Sequence, residues 1–336
     1  ISEQKTQVAA GAIGQPPMAR APGAPGAEFE TQITTQGRLV DEEQFDEIIV
    51  QVGPLGQKTF LKDVARVVHE AFHVAKSGRP GPVVIDLPKD VLFAKGPYTP
   101  AEEVKHKSYN PRRTPDAASV AKAVEMMAQA KRPLFYTGGG VINSGPEASE
   151  LLTKLVRATG FPCTSTLMGL GAVPASDPLF LGMLGMHGMY EANWAMHDCD
   201  LMVAVGARFD DRVTGRLTAF APNSKKIQID IDPSSINKNV RVDLPIVGDC
   251  GETLAEMLRL WKARKPKGDG KALAAWWKQI EDWKKRDCLR YEQSSTIIKP
   301  QYALQRLQAL TKGHDTYFTT EVGQHQMWAA QFLKFD

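Results

Sequence analysis

The chain has 336 residues, 43% hydrophobic and 24% charged, a globular composition with length for about two domains, which excludes a chain disordered throughout. Lys plus Arg (41) against Asp plus Glu (38) leave a formal net charge of +3, too balanced for a dedicated nucleic-acid binder, so a small-molecule ligand is expected and nucleic acid is not. The longest uncharged stretch, Ala158 to Ser176, is interrupted by Gly160, Pro162, Gly169, Gly171 and Pro174, and no membrane span or secretory signal is expected. Four cysteines, Cys163, Cys199, Cys250 and Cys288, stand far apart without a CxxC pair, which predicts reduced, buried thiols in a cytoplasmic protein. A chain starting at Ile1 is expected to be a piece of something longer.

Residues 1–26 hold eight Gly or Pro and little hydrophobic periodicity, which predicts a mobile segment. Leu61, Val64, Val68, Phe72 and Ala75 recur at three and four and predict an amphipathic helix ending near Gly78. Val83, Val84 and Ile85, bracketed by prolines, predict a buried strand that delivers Asp86 and Lys89 to a loop. A polar link at 96–115 comes next, and then helices alternate with short apolar strands. The order is a helix from Asp116 to Ala130, strand 133–137, a Gly138-Gly139-Gly140 turn, a helix opening at Gly145-Pro146-Glu147, and a strand near Pro162 to Ser165. A helix around Gly188 to His197 precedes strands 201–206, 226–232 and 245–249 and a helix from Cys250 to Lys262. This alternation defines an α/β fold with a doubly wound parallel sheet. Beyond a basic linker (Lys262 to Lys271) come a helix carrying Trp276, Trp277 and Trp283, a helix from Gln301 to Leu310, a last strand at 316–320 and a helix from Gln324.

Several constellations can carry chemistry. HEAFH (69–73) matches a zinc-binding pattern, but its imidazoles are expected on the polar side of the helix, and no third ligand is evident. GDG (268–270) resembles the start of a magnesium-diphosphate loop, which needs an Asn about 25 residues on; no Asn occurs after Asn239, so this reading fails. The triple glycine lets backbone N–H groups meet a phosphate or ring at the carboxyl edge of the sheet, although a bare tight turn explains it equally well. Gly206 followed by Arg208, Asp210, Asp211 and Arg212 puts cations and carboxylates at a second strand end, with a surface ion-pair cluster as the alternative. Asp230 and Asp232 end a third, where a carboxylate accepts ribose or adenine hydrogen bonds. Three such strand ends suggest a dinucleotide, and the absence of GxGxxG argues against the usual NAD grip.

GRPGPVVIDLPKDV (78–91), Tyr136 to Gly140, TLMGLGAVP (166–174), LGMHGMYEANWAMHDCDLMVAVGARFDDRVTG (184–215), QIDIDPSSINKN (228–239) and EVGQHQMWAAQ (321–331) together resemble the catalytic subunits of the acetolactate synthase (acetohydroxyacid synthase) family. The resemblance covers about 58–336. It implies an unmatched segment 1–57, the end of a pyrimidine-binding domain (58–107), a central FAD-binding domain (108–265), a linker and helix (266–299) and the start of a diphosphate-binding domain (300–336). It further implies condensation of two pyruvates, or of pyruvate with 2-oxobutanoate, with loss of carbon dioxide, using thiamine diphosphate, magnesium and a structural FAD. A homo-oligomer and a regulatory small subunit are implied partners. By the same resemblance, FAD meets Arg79, Gly138, Gly139, Gly140, Thr166, Leu167, Met168, His187, Gly206, Ala207, Arg208, Asp230, Ile231 and Asp249. Val322, Gly323, Gln324 and His325 meet thiamine diphosphate, and Lys89, Met186, Asp211 and Arg212 face the substrate channel. The family's catalytic Glu has no match, with Glu42, Glu43 and Glu47 the first substitutes to test, and the magnesium ligands are expected beyond Asp336, so the chain alone is expected to be inactive. Glyoxylate carboligase and a non-catalytic FAD-binding assembly module are the alternatives.

Overall fold

A computed structural model describes residues 49–52, 58–60, 64–87, 89–93, 106, 108–264 and 268–336. The segment 1–26 and Glu42, Glu43 and Glu47 lie outside these residues. The chain divides into two units, one formed by residues 1–75 and 82–106, the other by 76–81 and 107–336. In the first, β1 (Ile49–Val52) and β2 (Lys58–Phe60) pair antiparallel, and helices α1 (Val64–Lys76) and α2 (Lys89–Phe93) come after them. Three expectations change here. Residues 83–85 join no sheet, and Val84 is 90% exposed, because a strand exists only as a paired member and no ladder partner stands beside it among the described residues. Lys89 accordingly opens a helix instead of sitting in a loop. On α1 the expected apolar stripe does not face inward throughout: Phe72 is 67% exposed.

The second unit is built on uninterrupted apolar runs, which bury on both faces of a parallel sheet. Its strands are β3 (Pro133–Thr137), β4 (Cys163–Ser165), β5 (Phe180–Met183), β6 (Leu201–Val205), β7 (Lys225–Asp230) and β8 (Leu244–Val247), all parallel in the order β5-β4-β3-β6-β7-β8. The doubly wound reading therefore holds, and the strand order reverses between β3 and β6. Alternation along the strands sorts two cores. Phe135, Val203, Val205, Ile227 and Ile229 meet helices α3 (Ala117–Gln129), α5 (Pro146–Thr159) and α8 (Cys250–Ala263), with Trp261 buried against Phe161. Leu134, Tyr136, Met202 and Ala204 meet α6 (Tyr190–Asp198) and α9 (Gly270–Lys284), where Trp276 donates to the Pro133 carbonyl at 3.1 Å.

Local chemistry sets the helix ends. Asp116 caps α3 through the Ser119 N–H at 2.8 Å, and Pro146 opens α5, which Gly160 closes in the left-handed conformation. The GDG motif is likewise a cap: Asp269 accepts the N–H groups of Lys271 and Ala272 at the start of α9. The glycine turn begins a short helix, α4 (Gly139–Asn143), and a further short helix, α7 (Asp211–Thr214), comes after β6; neither they nor β5 were expected. At the carboxyl end, α10 (Pro300–Thr311) and α11 (Gln324–Phe332) form as expected, but 316–320 is no strand, since no neighbour offers it a ladder among the described residues and Tyr317 is 86% exposed. Cys163, Cys199 and Cys250 are free and buried as expected, burial pushing the Cys199 thiol up to about 12; Cys288 is exposed, contrary to expectation.

Gly206 has φ +58°, and a Cβ there would lie 2.6 Å from the Gly140 Cα. Gly206→Ala is expected to lower unfolding free energy by about 2–3 kcal/mol in urea denaturation, combining left-handed strain with overpacking. Gly270→Ala, whose Cβ meets nothing within 4 Å, should leave the midpoint unchanged or slightly raised.

Candidate functional site

Open parallel sheets bind ligands in the crevice outside the carboxyl ends of their strands, where the strand order reverses. In this chain the strand order reverses between the turns after β3 and β6. They touch through bare backbone: the Gly138 N–H donates to the Val205 carbonyl at 3.0 Å and the Gly140 N–H to the Gly206 carbonyl at 2.9 Å. A Cβ on Gly138 would collide with the Gly206 carbonyl and lie 2.7 Å from the Ala207 Cα. The glycines thus serve close strand-end packing first, and two of the N–H groups expected to meet a phosphate are already engaged, one with the last residue of β6 and one with the glycine after it.

The loop after β6 is held at four successive carbonyls by donors from different parts of the fold. Gly206 O accepts from the Gly140 N–H, Ala207 O from Gln228 Nε2 at 3.4 Å, Arg208 O from the Tyr136 hydroxyl at 2.7 Å, and Phe209 O from Asn239 Nδ2 at 2.8 Å. The Tyr136 ring also packs 5.6 Å from Phe209. Burial, and after it the nearby Asp210, holds the Tyr136 phenol above its ordinary range, so it stays a neutral donor. These bonds fix the Arg208 backbone and leave its side chain part-exposed.

Charge gathers at the ends of β6 and β7. Arg208 pairs with Asp210 at 2.8 Å, Arg79 with Asp232 at 3.5 Å, and the weaker Arg212–Asp211 approach is 4.0 Å. Asp230 is buried, which raises its carboxyl pKa against the lowering effects of the Asp232 N–H, Arg79 and Arg208. Burial would also raise Asp232, but hydrogen bonds from Ser234 and Ser235, with Arg79, outweigh it and hold that carboxyl low. Asp232 is not a strand residue as expected; β7 stops at Asp230, and Asp232 caps the turn 233–235. Ion pairing is real at this edge.

The remaining expected residues fall into groups. Thr166, Leu167 and Met168 sit beside the glycines, Gly139 having a Cβ position 3.2 Å from the Met168 Cβ, and Met168 is 74% exposed. Met186 is exposed and its N–H donates to the Arg212 carbonyl at 2.9 Å, which joins two of the expected channel residues. His187 is exposed and its carbonyl accepts from Gln331 on α11. Ile231 is half-buried between Asp230 and Asp232. Asp249 lies two residues past β8 and its carboxylate is occupied: it accepts from Ser144 Oγ and from the N–H groups of Gly251 and Glu252, capping α8. Gly323 precedes α11 with the His325 ring folded against it, alongside Gln324 and the exposed Val322. Lys89 belongs to the other unit. In HEAFH, Glu70 is bound by Arg66 at 2.7 Å, and no group of three or more potential metal ligands stands among the described residues.

Sequence reasoning missed Tyr136, Gln228 and Asn239 as members of the site. For Gln228 a signal existed, since an amide in the middle of an apolar parallel strand must find partners.

Residues 120–257 match the family described as thiamine pyrophosphate enzyme, central domain. More particularly, the chain is 46% identical to the acetolactate synthase isozyme 3 large subunit of Escherichia coli (strain K12) over 84% of its own length and 50% of that protein. It is 45% identical to the acetolactate synthase large subunit of Haemophilus influenzae (82% of this chain, 48% of that protein) and 41% identical to an acetolactate synthase of Mycobacterium bovis (84% and 46%). The resemblance found in the motifs is borne out along the chain, which spans about half the length of these curated relatives.

Because Asp249 is a cap, Asp249→Ala is expected to cost about 1–2 kcal/mol of unfolding free energy in urea, with Asp249→Asn retaining most of it. An unchanged Asp249→Ala midpoint would remove the capping role.

Proposed function

We propose that this chain is part of an acetolactate synthase large subunit, which condenses two pyruvates, or pyruvate with 2-oxobutanoate, with release of carbon dioxide, and that its parallel-sheet unit holds FAD at the β3/β6 switch point. The observation that carries the reading is the pre-fixed Arg208 loop lying at that switch point, inside the stretch that matches the thiamine pyrophosphate enzyme central domain. FAD fits the chemistry present. A diphosphate needs permanent cations at an open sheet edge, supplied by Arg79 and Arg208; ribose hydroxyls need acceptors, supplied by Asp230 and Asp232; and an isoalloxazine ring needs exposed, adaptable apolar surface, supplied by Met168 and Met186. To bind the diphosphate, Arg208 has to loosen its contact with Asp210, an ion pair whose two members are both over a third exposed and therefore cheap to exchange.

Thiamine diphosphate, when bound, supplies the electron sink for decarboxylation. On this chain Val322, Gly323, Gln324 and His325 form a wall for it at the amino end of α11, whose N–H groups and dipole favour an anion. Magnesium belongs to the same proposal as the counterion of that diphosphate. Met186, Asp211 and Arg212 face the substrate; Arg212 is the cation suited to a 2-oxo acid carboxylate. The relatives are named large subunits, which supports a smaller partner chain, and a homo-oligomer completes the reading.

The test is titration of purified chain with FAD, monitored by absorbance and flavin fluorescence, comparing wild type with Arg208→Ala. Loss of one charge-assisted anchor should weaken binding by roughly ten- to a hundredfold. Equal retention by a folded Arg208→Ala chain would sink the assignment. Flavin binding without acetolactate formation by the full-length protein, given pyruvate, thiamine diphosphate and magnesium, would contradict the catalytic reading alone.

A further inference from the structure

Gln228 lies midway along β7, between Ile227 and Ile229, and is fully buried. Its strand partners are Ala204 on β6 and Pro245 on β8. Such a position suits an unbranched apolar side chain. Instead the amide Nε2 donates to two carbonyls on different loops, Ala207 O and Ser235 O, each at 3.4 Å. Its Oε1 is buried without a hydrogen-bond partner among the described residues. An unsatisfied buried acceptor is destabilising, so the amide is a poor choice for stability alone.

We propose that Gln228 is a positioning residue that latches the loop carrying Arg208 to the turn carrying Asp232, setting the spacing of the two charged arms before a cofactor arrives. Ala207 directly precedes Arg208. Ser235 lies in the turn capped by Asp232, and Asp232 is the carboxylate that Arg79 approaches. One buried side chain therefore joins the loop that bears Arg208 to the turn that bears Asp232, and neither can shift away from β7 without losing one of its bonds. The inference rests on the flavin reading for its ligand but not for the latch itself.

Gln228→Met keeps the length of the side chain while removing both donors and the orphaned oxygen. In the flavin-free chain the thermal midpoint should be unchanged or higher. Tryptic cleavage of the Arg208–Phe209 bond, located by mass spectrometry, should accelerate about tenfold as the loop opens locally, and FAD affinity should fall about tenfold. A lowered midpoint with unchanged cleavage at Arg208 would show a purely structural role and overturn the proposal. If circular dichroism shows that the Met variant does not fold, Gln228→Asn, too short to span both carbonyls, is read by the same criteria. Failure of wild type to bind FAD would defeat the flavin reading, while the cleavage rates would still decide for or against the latch.

Discussion

The architecture of the second unit depends on two turns meeting with no side chain between them. β3 and β6 are adjacent strands whose chains diverge to opposite sides of the sheet, so the segments leaving their carboxyl ends must pass through the same small volume. Only backbone fits there. Gly138 and Gly140 on one side and Gly206 on the other allow N–H groups to reach carbonyls at 2.9–3.0 Å, and Gly206 takes a positive φ to turn its carbonyl toward Gly140. This contact fixes where β6 ends and therefore where Arg208 emerges.

From that fixed point, ordering of the site reflects the hierarchy of hydrogen-bond burial. The bonds that shape the loop come from buried donors, Tyr136 and Gln228, and from Asn239, all directed to backbone carbonyls, and in a low-dielectric interior such bonds are costly to break. The charges at its rim are paired with one another across partly exposed surfaces, where ion pairs are worth little and can be exchanged for a ligand. Rigid backbone with exchangeable side-chain charge is the combination that a cofactor site needs, because the ordering cost is met on folding and not on binding. Asp249 shows the opposite case: with a serine hydroxyl and two helix N–H groups already on its carboxylate, it contributes to the fold of the β8 edge.

How much of this arrangement is legible in the sequence depends on which forces are local. Helices such as α3, α5 and α8 announce themselves through caps and terminal Gly or Pro, and β3, β6, β7 and β8 through unbroken apolar runs. β5 is invisible because FLGM holds a glycine at φ +83° and only half its residues are buried. The runs 83–85 and 316–320 have strand-like composition without strand partners, and composition cannot report a partner. Arg208, the glycines and the Asp230–Asp232 pair were legible as strand-end chemistry. Tyr136 and Asn239 were not, because their partners lie 72 and 30 residues away in sequence and are backbone carbonyls, which every residue possesses; Gln228, an amide inside an apolar strand, signalled that it needs partners but not which ones.

The most direct measurement is a crystal structure of the chain bound to FAD. A preformed switch-point crevice predicts the flavin diphosphate within hydrogen-bond distance of Arg208, with the Ala207, Arg208 and Phe209 carbonyls still accepting from Gln228, Tyr136 and Asn239. Flavin bound away from the β3/β6 turns, or a loop 206–210 that is rebuilt to receive it, would contradict a site fixed by the fold before its ligand.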